Sequence, residues 1–241
     1  MGVHCPECTR EARQSAPRTR PAAVTALRRA RTNGAIVTYS LVALTLVVFV
    51  LQKLTGGWVT YELLYAPLLT EREPWRMLTA VFVHSDTSFL HILFNMYSLF
   101  IFGRILEPML GWARFLALYL LSGFGGSVAV LLISPLTNVV GASGAIFGLL
   151  GAFFVIQRGL GGNNTQLMVL LAVNLGIGFV VPGIAWQAHI GGLIVGAVIA
   201  FIYLRTRRPA QARRQWMLVA AVAVALVAIT LVGVALLPSW P

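Results

Sequence analysis

Residues 115–157 read FLALYLLSGFGGSVAVLLISPLTNVVGASGAIFGLLGAFFVIQ, 43 positions between Arg114 and Arg158 with no charged side chain. A hydrocarbon core about 30 Å thick needs about 20 helical residues to cross it, so the run is too long for one span. Ser134-Pro135-Leu136-Thr137-Asn138 sits near its middle as a breaker, and the run is read as two helices.

The same counting extends outward. Upstream, residues 35–51 form a first span, and residues 88–103 form a second that ends before Arg104 and Glu107. Between them, residues 52–87 carry Gly56-Gly57, Pro67, Pro74 and the acids Glu62, Glu71, Glu73 and Asp86, which reads as a long loop. Downstream, the 46 uncharged residues between Arg158 and Arg205 are opened by Gly161-Gly162-Asn163-Asn164 and interrupted by Val181-Pro182-Gly183, giving two more helices. Residues 216–237 are an unbroken apolar run and supply a seventh span. The expected fold is therefore an all-α integral membrane protein of seven spans. Its three parts are a basic tail over residues 1–34, a six-helix core over 35–205 and a C-terminal seventh helix within 206–241.

Composition agrees. The 241 residues are 58% apolar and 10% charged, which is not a soluble balance. The 18 Lys and Arg against 7 Asp and Glu give +11, a value that in a soluble chain raises the question of nucleic acid. Seven basic residues, however, precede position 32 and five lie from Arg205 to Arg214, flanking apolar spans. Such blocks are topology signals, and no nucleic-acid partner is expected. With the N-terminus cytoplasmic, 15 of the 18 basic residues fall inside, while Lys53, Arg72 and Arg76 fall outside beside four acids. The expected topology is N-terminus in and C-terminus out in a plasma membrane, with the first span retained as a signal anchor. Two cysteines, both in the tail, exclude a disulfide framework.

This topology brings polar residues to one depth. The second, fourth and sixth spans all start from the outer side, which places His91 and Asn95, Ser143, and His189 near their outer ends. Ionisable side chains inside a bilayer are costly, so this convergence is read as a functional site. A serine hydroxyl needs an adjacent base to act as a nucleophile, and His189 suits Ser143. A tetrahedral oxyanion needs preorganised donors, which His91, Asn95 and the Ser143 backbone N–H can provide. No Asp or Glu lies at that depth, so a serine hydrolase built here uses a Ser-His dyad with no cofactor. Gly144, Gly148 and Gly151 on the fourth span and Gly192 and Gly196 on the sixth have the small-xxx-small spacing that allows close helix approach. The plainer reading of these glycines is packing alone. A small-solute transporter would show inverted repeats and charged midplane ligands, and neither is present in the sequence.

Four motifs carry a family resemblance. Gly141-Ala142-Ser143-Gly144-Ala145-Ile146-Phe147-Gly148 resembles the serine motif of the rhomboid intramembrane serine proteases. His91-Ile92-Leu93-Phe94-Asn95 is similar to that family's second-helix motif, and Ala188-His189-Ile190-Gly191-Gly192-Leu193 to its histidine motif. Trp75-Arg76 is similar to a pair in its first loop. The match runs over residues 36–205 with the motifs in the family's order. It implies a rhomboid six-helix core with an extra C-terminal span, Ser143 as nucleophile, His189 as general base, and His91 and Asn95 as oxyanion-binding side chains. It further implies a bacterial endopeptidase that cuts single-span or other membrane-protein substrates near the outer face. The competing reading is a catalytically silent rhomboid-like protein that binds transmembrane helices without cutting them.

Phe147 stands where some relatives carry Tyr, one turn after the serine, and its ring is expected to stack on His189. Trp75 and Arg76 are expected to anchor the outer loop, His84 to pack or be solvated, and Glu107 to cap or pair locally. At the N-terminus, Cys5 and Cys8 supply two of the four ligands of a structural zinc site. The segment resembles the last knuckle of zinc-ribbon-like heads that precede some actinobacterial rhomboid cores. Taken alone, the half-site reads as a reduced pair that holds no metal, and the Arg-, Ala- and Pro-rich remainder of the tail reads as a linker at the membrane surface.

Overall fold

The computed structural model describes residues 34–162 and 164–237. Cys5, Cys8 and the tail lie outside the described residues. Nine α-helices follow one another in the described chain: α1 (Ile36–Leu54), α2 (Trp58–Leu63), α3 (Arg76–Thr79), α4 (Phe89–Leu110), α5 (Trp112–Ile133), α6 (Ser143–Gly159), α7 (Thr165–Val180), α8 (Trp186–Arg205) and α9 (Ala212–Ala235). Five of the long helices are long and apolar enough to cross a membrane, and α6 and α7 are shorter apolar helices. The seven expected spans correspond to α1, α4, α5, α6, α7, α8 and α9.

Why the helices stop where they do is legible from the glycines and prolines between them, with one exception. The second span was expected to end at position 103, yet α4 continues to Leu110 through Arg104, Glu107 and Pro108. The carboxylate that should have ended it is held by hydrogen bonds from a distant partner. The Val37 and Thr38 N–H groups donate to Glu107 at 2.9 and 2.7 Å, and the Thr38 hydroxyl donates to the same carboxylate at 2.7 Å. Glu107 therefore caps the start of α1, where the first N–H groups have no acceptor in their own helix and the dipole favours an anion. The contact is not local, as the sequence suggests, but spans 70 residues.

Helices in lipid gain no hydrophobic energy from meeting each other, so close packing and hydrogen bonds must hold them. Glycine does this between α6 and α8. A Cβ on Gly192 would overlap the Gly144 carbonyl oxygen, and one on Gly196 would overlap the Gly148 carbonyl oxygen. Helix α5 closes the trio, since a Cβ on Gly191 would overlap the Gly125 carbonyl oxygen. Around this inner layer, α1 presents one narrow face, with Thr38, Leu41, Thr45 and Gln52 buried at intervals of one, one and two turns. Its C-terminal end is tied to the long loop by Gln52, which donates to the His84 carbonyl at 2.8 Å and accepts from the His84 N–H at 3.0 Å. At the far side, α9 is joined through buried Gln215, which accepts from Arg114 Nε at 2.5 Å and donates to the Thr206 hydroxyl at 2.9 Å.

The loop over residues 52–87 is more built than its composition suggests. It holds α2, a 3-10 turn and α3, and Tyr65 pairs with Val139 in an isolated antiparallel bridge. Arg76 is buried and binds Glu73 and the Tyr61 carbonyl, with Glu62 3.8 Å away. Trp75 beside it is 52% exposed.

Two substitutions should separate capping from seam packing. Glu107→Ala strands two N–H groups and a hydroxyl, each costing about 1–3 kcal/mol when buried, and should clearly lower the melting temperature in mild detergent. Gly192→Ala must push two helices apart, and should destabilise at least as much although it only adds a methyl group. A melting curve unchanged by either would remove that contact from the account.

Candidate active site

Helix α6 has 17 residues, and at about 1.5 Å per residue it spans about 25 Å, less than a hydrocarbon core of about 30 Å. With its far end at one surface, its first residue stays below the other. That first residue is Ser143. It is reached through Gly141, whose φ of +117° places it where a side chain is strained. The Gly141 N–H is held by the Ala80 carbonyl at 2.9 Å, so the loop over residues 52–87 fixes the start of the helix.

The Ser143 hydroxyl and His189 Nε2 lie 2.9 Å apart. They come from helices whose backbones meet at Gly144 and Gly192, each one to three residues away from the pair. The His189 ring is stacked face to face on Phe147, centroids 4.1 Å apart and planes within 8°. His189 Nδ1 is buried and has no hydrogen-bond partner. When Nε2 accepts from the serine hydroxyl, the ring proton is on Nδ1, so an aromatic face orients this imidazole where soluble triads use a carboxylate.

His91 and Asn95 join them on α4, one turn apart. His91 Nδ1 accepts from the Ser85 N–H at 3.2 Å. In the neutral ring the proton then belongs to Nε2, which is thereby a donor. A Cβ added to Gly141 would sit 2.9 Å from that nitrogen, so the donor lies directly beside the approach to Ser143. Asn95 donates one amide hydrogen to the His91 carbonyl at 2.7 Å, while its Oδ1 is buried without a partner. One amide hydrogen remains free for another acceptor. All four side chains line one cavity of about 1310 Å³, whose rim includes Asp86, Thr137 and Pro182. Asp86 is occupied by Thr60 at 2.7 Å and Lys53 at 3.8 Å.

The structure thus brings together the four residues singled out from the sequence and adds several that were not. His84 is fully buried, its ring 5.2 Å from that of His91. Burial first, and His91 second, push its imidazole down to about 3 from its ordinary value, so it stays uncharged at neutral pH. Ser85 acts through a backbone N–H, which leaves no trace in a sequence. Gln187 donates to the Ser134 hydroxyl at 2.6 Å and ties the start of α8 to the loop before α6. Gly125 and Gly126, which pack against Gly191 and Ala188 of α8, carried a visible signal as adjacent small residues on α5.

A multi-pass helical protein whose bundle holds, at one end, a cavity lined by a serine, histidines and an asparagine among apolar side chains is the class these features define. Comparison with known proteins names it further. Residues 71–206 match the family model described as the Rhomboid domain. The rhomboid protease GluP of Bacillus subtilis (strain 168) is 38% identical over 170 residues, covering 66% of this chain and 33% of GluP. The mitochondrial RHOMBOID-like protein 6 of Arabidopsis thaliana is 37% identical over 139 residues, covering 55% of this chain and 44% of that protein. RHOMBOID-like protein 4 of the same plant is 40% identical over 139 residues, covering 55% and 34%. The chain belongs to the rhomboid family, and it spans less than half the length of these three relatives.

Gly141 offers a test confined to the site. Gly141→Ala adds a methyl group against His91 and strains a backbone with positive φ, while meeting no atom of α8. Reaction at Ser143 should fall at least tenfold, with helicity by circular dichroism unchanged. Full reactivity would show that the fit between Gly141 and His91 is incidental.

Proposed function

We propose that this chain is an intramembrane serine endopeptidase that cuts membrane proteins near the outer ends of their transmembrane segments. The observation that carries the reading is the Ser143–His189 pair, 2.9 Å apart inside a cavity at the recessed start of α6. The Ser143 oxygen attacks the scissile carbonyl carbon as its proton passes to His189 Nε2. Negative charge then develops on the carbonyl oxygen beside the α6 N-terminus, where His91 Nε2–H, the free Asn95 amide hydrogen and the Ser143 N–H are donors in place. His189 returns the proton to the leaving amine, and water resolves the acyl-enzyme by the same steps in reverse. No cofactor enters the scheme.

A helix hides its carbonyls, so a substrate segment must unwind before attack, which favours small or helix-breaking residues at the cut. Single-span proteins are the simplest partners of this kind. The core is residues 35–205, the tail over 1–34 anchors orientation, and residues 206–241 carry the added helix. The N-terminus is cytoplasmic and the C-terminus outside, in a bacterial plasma membrane. What supports this orientation is the basic bias along the chain together with the acids gathered in the loop over residues 52–87.

The dyad is tested in liposomes carrying single-span substrates. Ser143→Ala and His189→Ala should each abolish cleavage, and the double variant should be no worse than either, because the two act as a unit. Asn95→Ala should lose about 10² to 10³ in rate, the usual effect of one missing oxyanion donor. Wild-type protein that holds substrate helices yet never cuts them would favour the silent rhomboid-like reading.

Orientation is tested with single cysteines in a background lacking Cys5 and Cys8. Glu71→Cys should react with an impermeant thiol reagent on intact cells, and Arg213→Cys only after lysis. The reverse pattern would move the cavity to the cytoplasmic side.

A further inference from the structure

At the end of the bundle opposite Ser143, a second cavity of about 590 Å³ lies between the last turns of α6 and α8 and the turn that leads into α9. Arg158, Arg205, Arg207 and Arg208 line it over an apolar floor of Phe154 and Phe201. Basic residues near helix ends commonly do no more than offset the helix dipole. Here two helix C-termini bring on the order of half a negative charge each, against four guanidinium groups. No carboxylate answers the surplus among the described residues. Glu62, Glu73 and Asp86 are engaged in the loop at the other end, Glu71 lies in that same loop, and Glu107 is spent on the start of α1.

The surroundings add a direction. Ile194, Val198 and Phe201 are 57%, 44% and 52% exposed on α8 and stand at three- and four-residue spacing, with Arg205 next on the same stripe. The Arg205 guanidinium already sits 4.9 Å over the Phe201 ring. An apolar track that runs along a membrane helix and ends in a basic cavity has the shape of a lipid, with chain along the track and phosphate among the arginines.

We propose that this cavity is a binding site for one anionic phospholipid, its phosphate held by Arg158, Arg205, Arg207 and Arg208 and one acyl chain lying along Ile194, Val198 and Phe201. Guanidinium groups suit phosphate because their planar N–H pairs meet two oxygens at once. Basic pockets between transmembrane helices are a recognised way of holding such head groups. A free phosphate compound shares the head-group chemistry but gains nothing from the apolar track. The site is independent of any reaction at Ser143.

The test uses the full chain purified in mild detergent, with retained lipid read by native mass spectrometry after addition of dioleoyl phosphatidylglycerol or dioleoyl phosphatidylcholine. Wild-type protein should retain one phosphatidylglycerol and at least tenfold less phosphatidylcholine. The double variant R158Q/R208Q should lose at least tenfold of that retention. R213Q/R214Q, which removes the same charge from exposed positions outside the cavity, should keep it. A rise in melting temperature on adding phosphatidylglycerol should follow the same pattern, and single R207Q, should the double variant not fold, should show a partial loss. Equal retention of the two lipids, or equal losses in the two double variants, would overturn the site. Displacement of the lipid by an equimolar amount of glycerol 3-phosphate would reassign it to free phosphates.

Discussion

Everything in this structure depends on two helix backbones being allowed to touch. At Gly192 over Gly144 and Gly196 over Gly148 there is no room for a single methyl group between α6 and α8. That distance places a serine on one helix within hydrogen-bond reach of a histidine on the other. In lipid, where water does not drive helices together, such contact has to come from van der Waals fit. Packing and chemistry therefore rest on the same glycines. The residues that pack the two helices are also those that set the Ser143–His189 distance.

Depth is the second constraint. A serine at a lipid-facing surface would have no water, and one at the membrane edge would reach only loops. The 17-residue α6 is too short to reach both boundaries and sets its first residue below one of them, and the loops over 85–88, 137–140 and 181–184 leave a cavity above it. The cost appears as unpartnered buried atoms, Nδ1 of His189 and Oδ1 of Asn95 among them. Buried polar groups normally find partners, and exceptions gather where a site holds something in reserve. Phe147 takes up the orienting task for His189 by stacking, which asks for no further polar atom.

Much of this could be read from the chain, because membrane thickness turns composition into length. Seven spans, their order, and the common depth of His91, Asn95, Ser143 and His189 follow from counting uncharged residues and locating breakers. The glycine faces follow from helical period. What could not be read was long-range pairing. Glu107 looks like a helix terminator in sequence and is instead the cap of a helix 70 residues earlier, so α4 continues past it. The donor character of His91 is set by a backbone N–H of Ser85, and Gln52 closes on His84 through main-chain atoms. Backbone partners carry no residue identity. For the same reason the segment over 52–87 reads as loop, although buried Arg76 organises it from within.

The central claim is that Ser143 is activated by His189 alone, with the geometry supplied by the α6–α8 seam. It is tested most directly by treating the folded protein with a fluorophosphonate and locating the adduct by peptide mass spectrometry. The account predicts one adduct, on Ser143, absent from the His189→Ala form. An adduct on another residue, or one on Ser143 that forms at the same rate without His189, would contradict it.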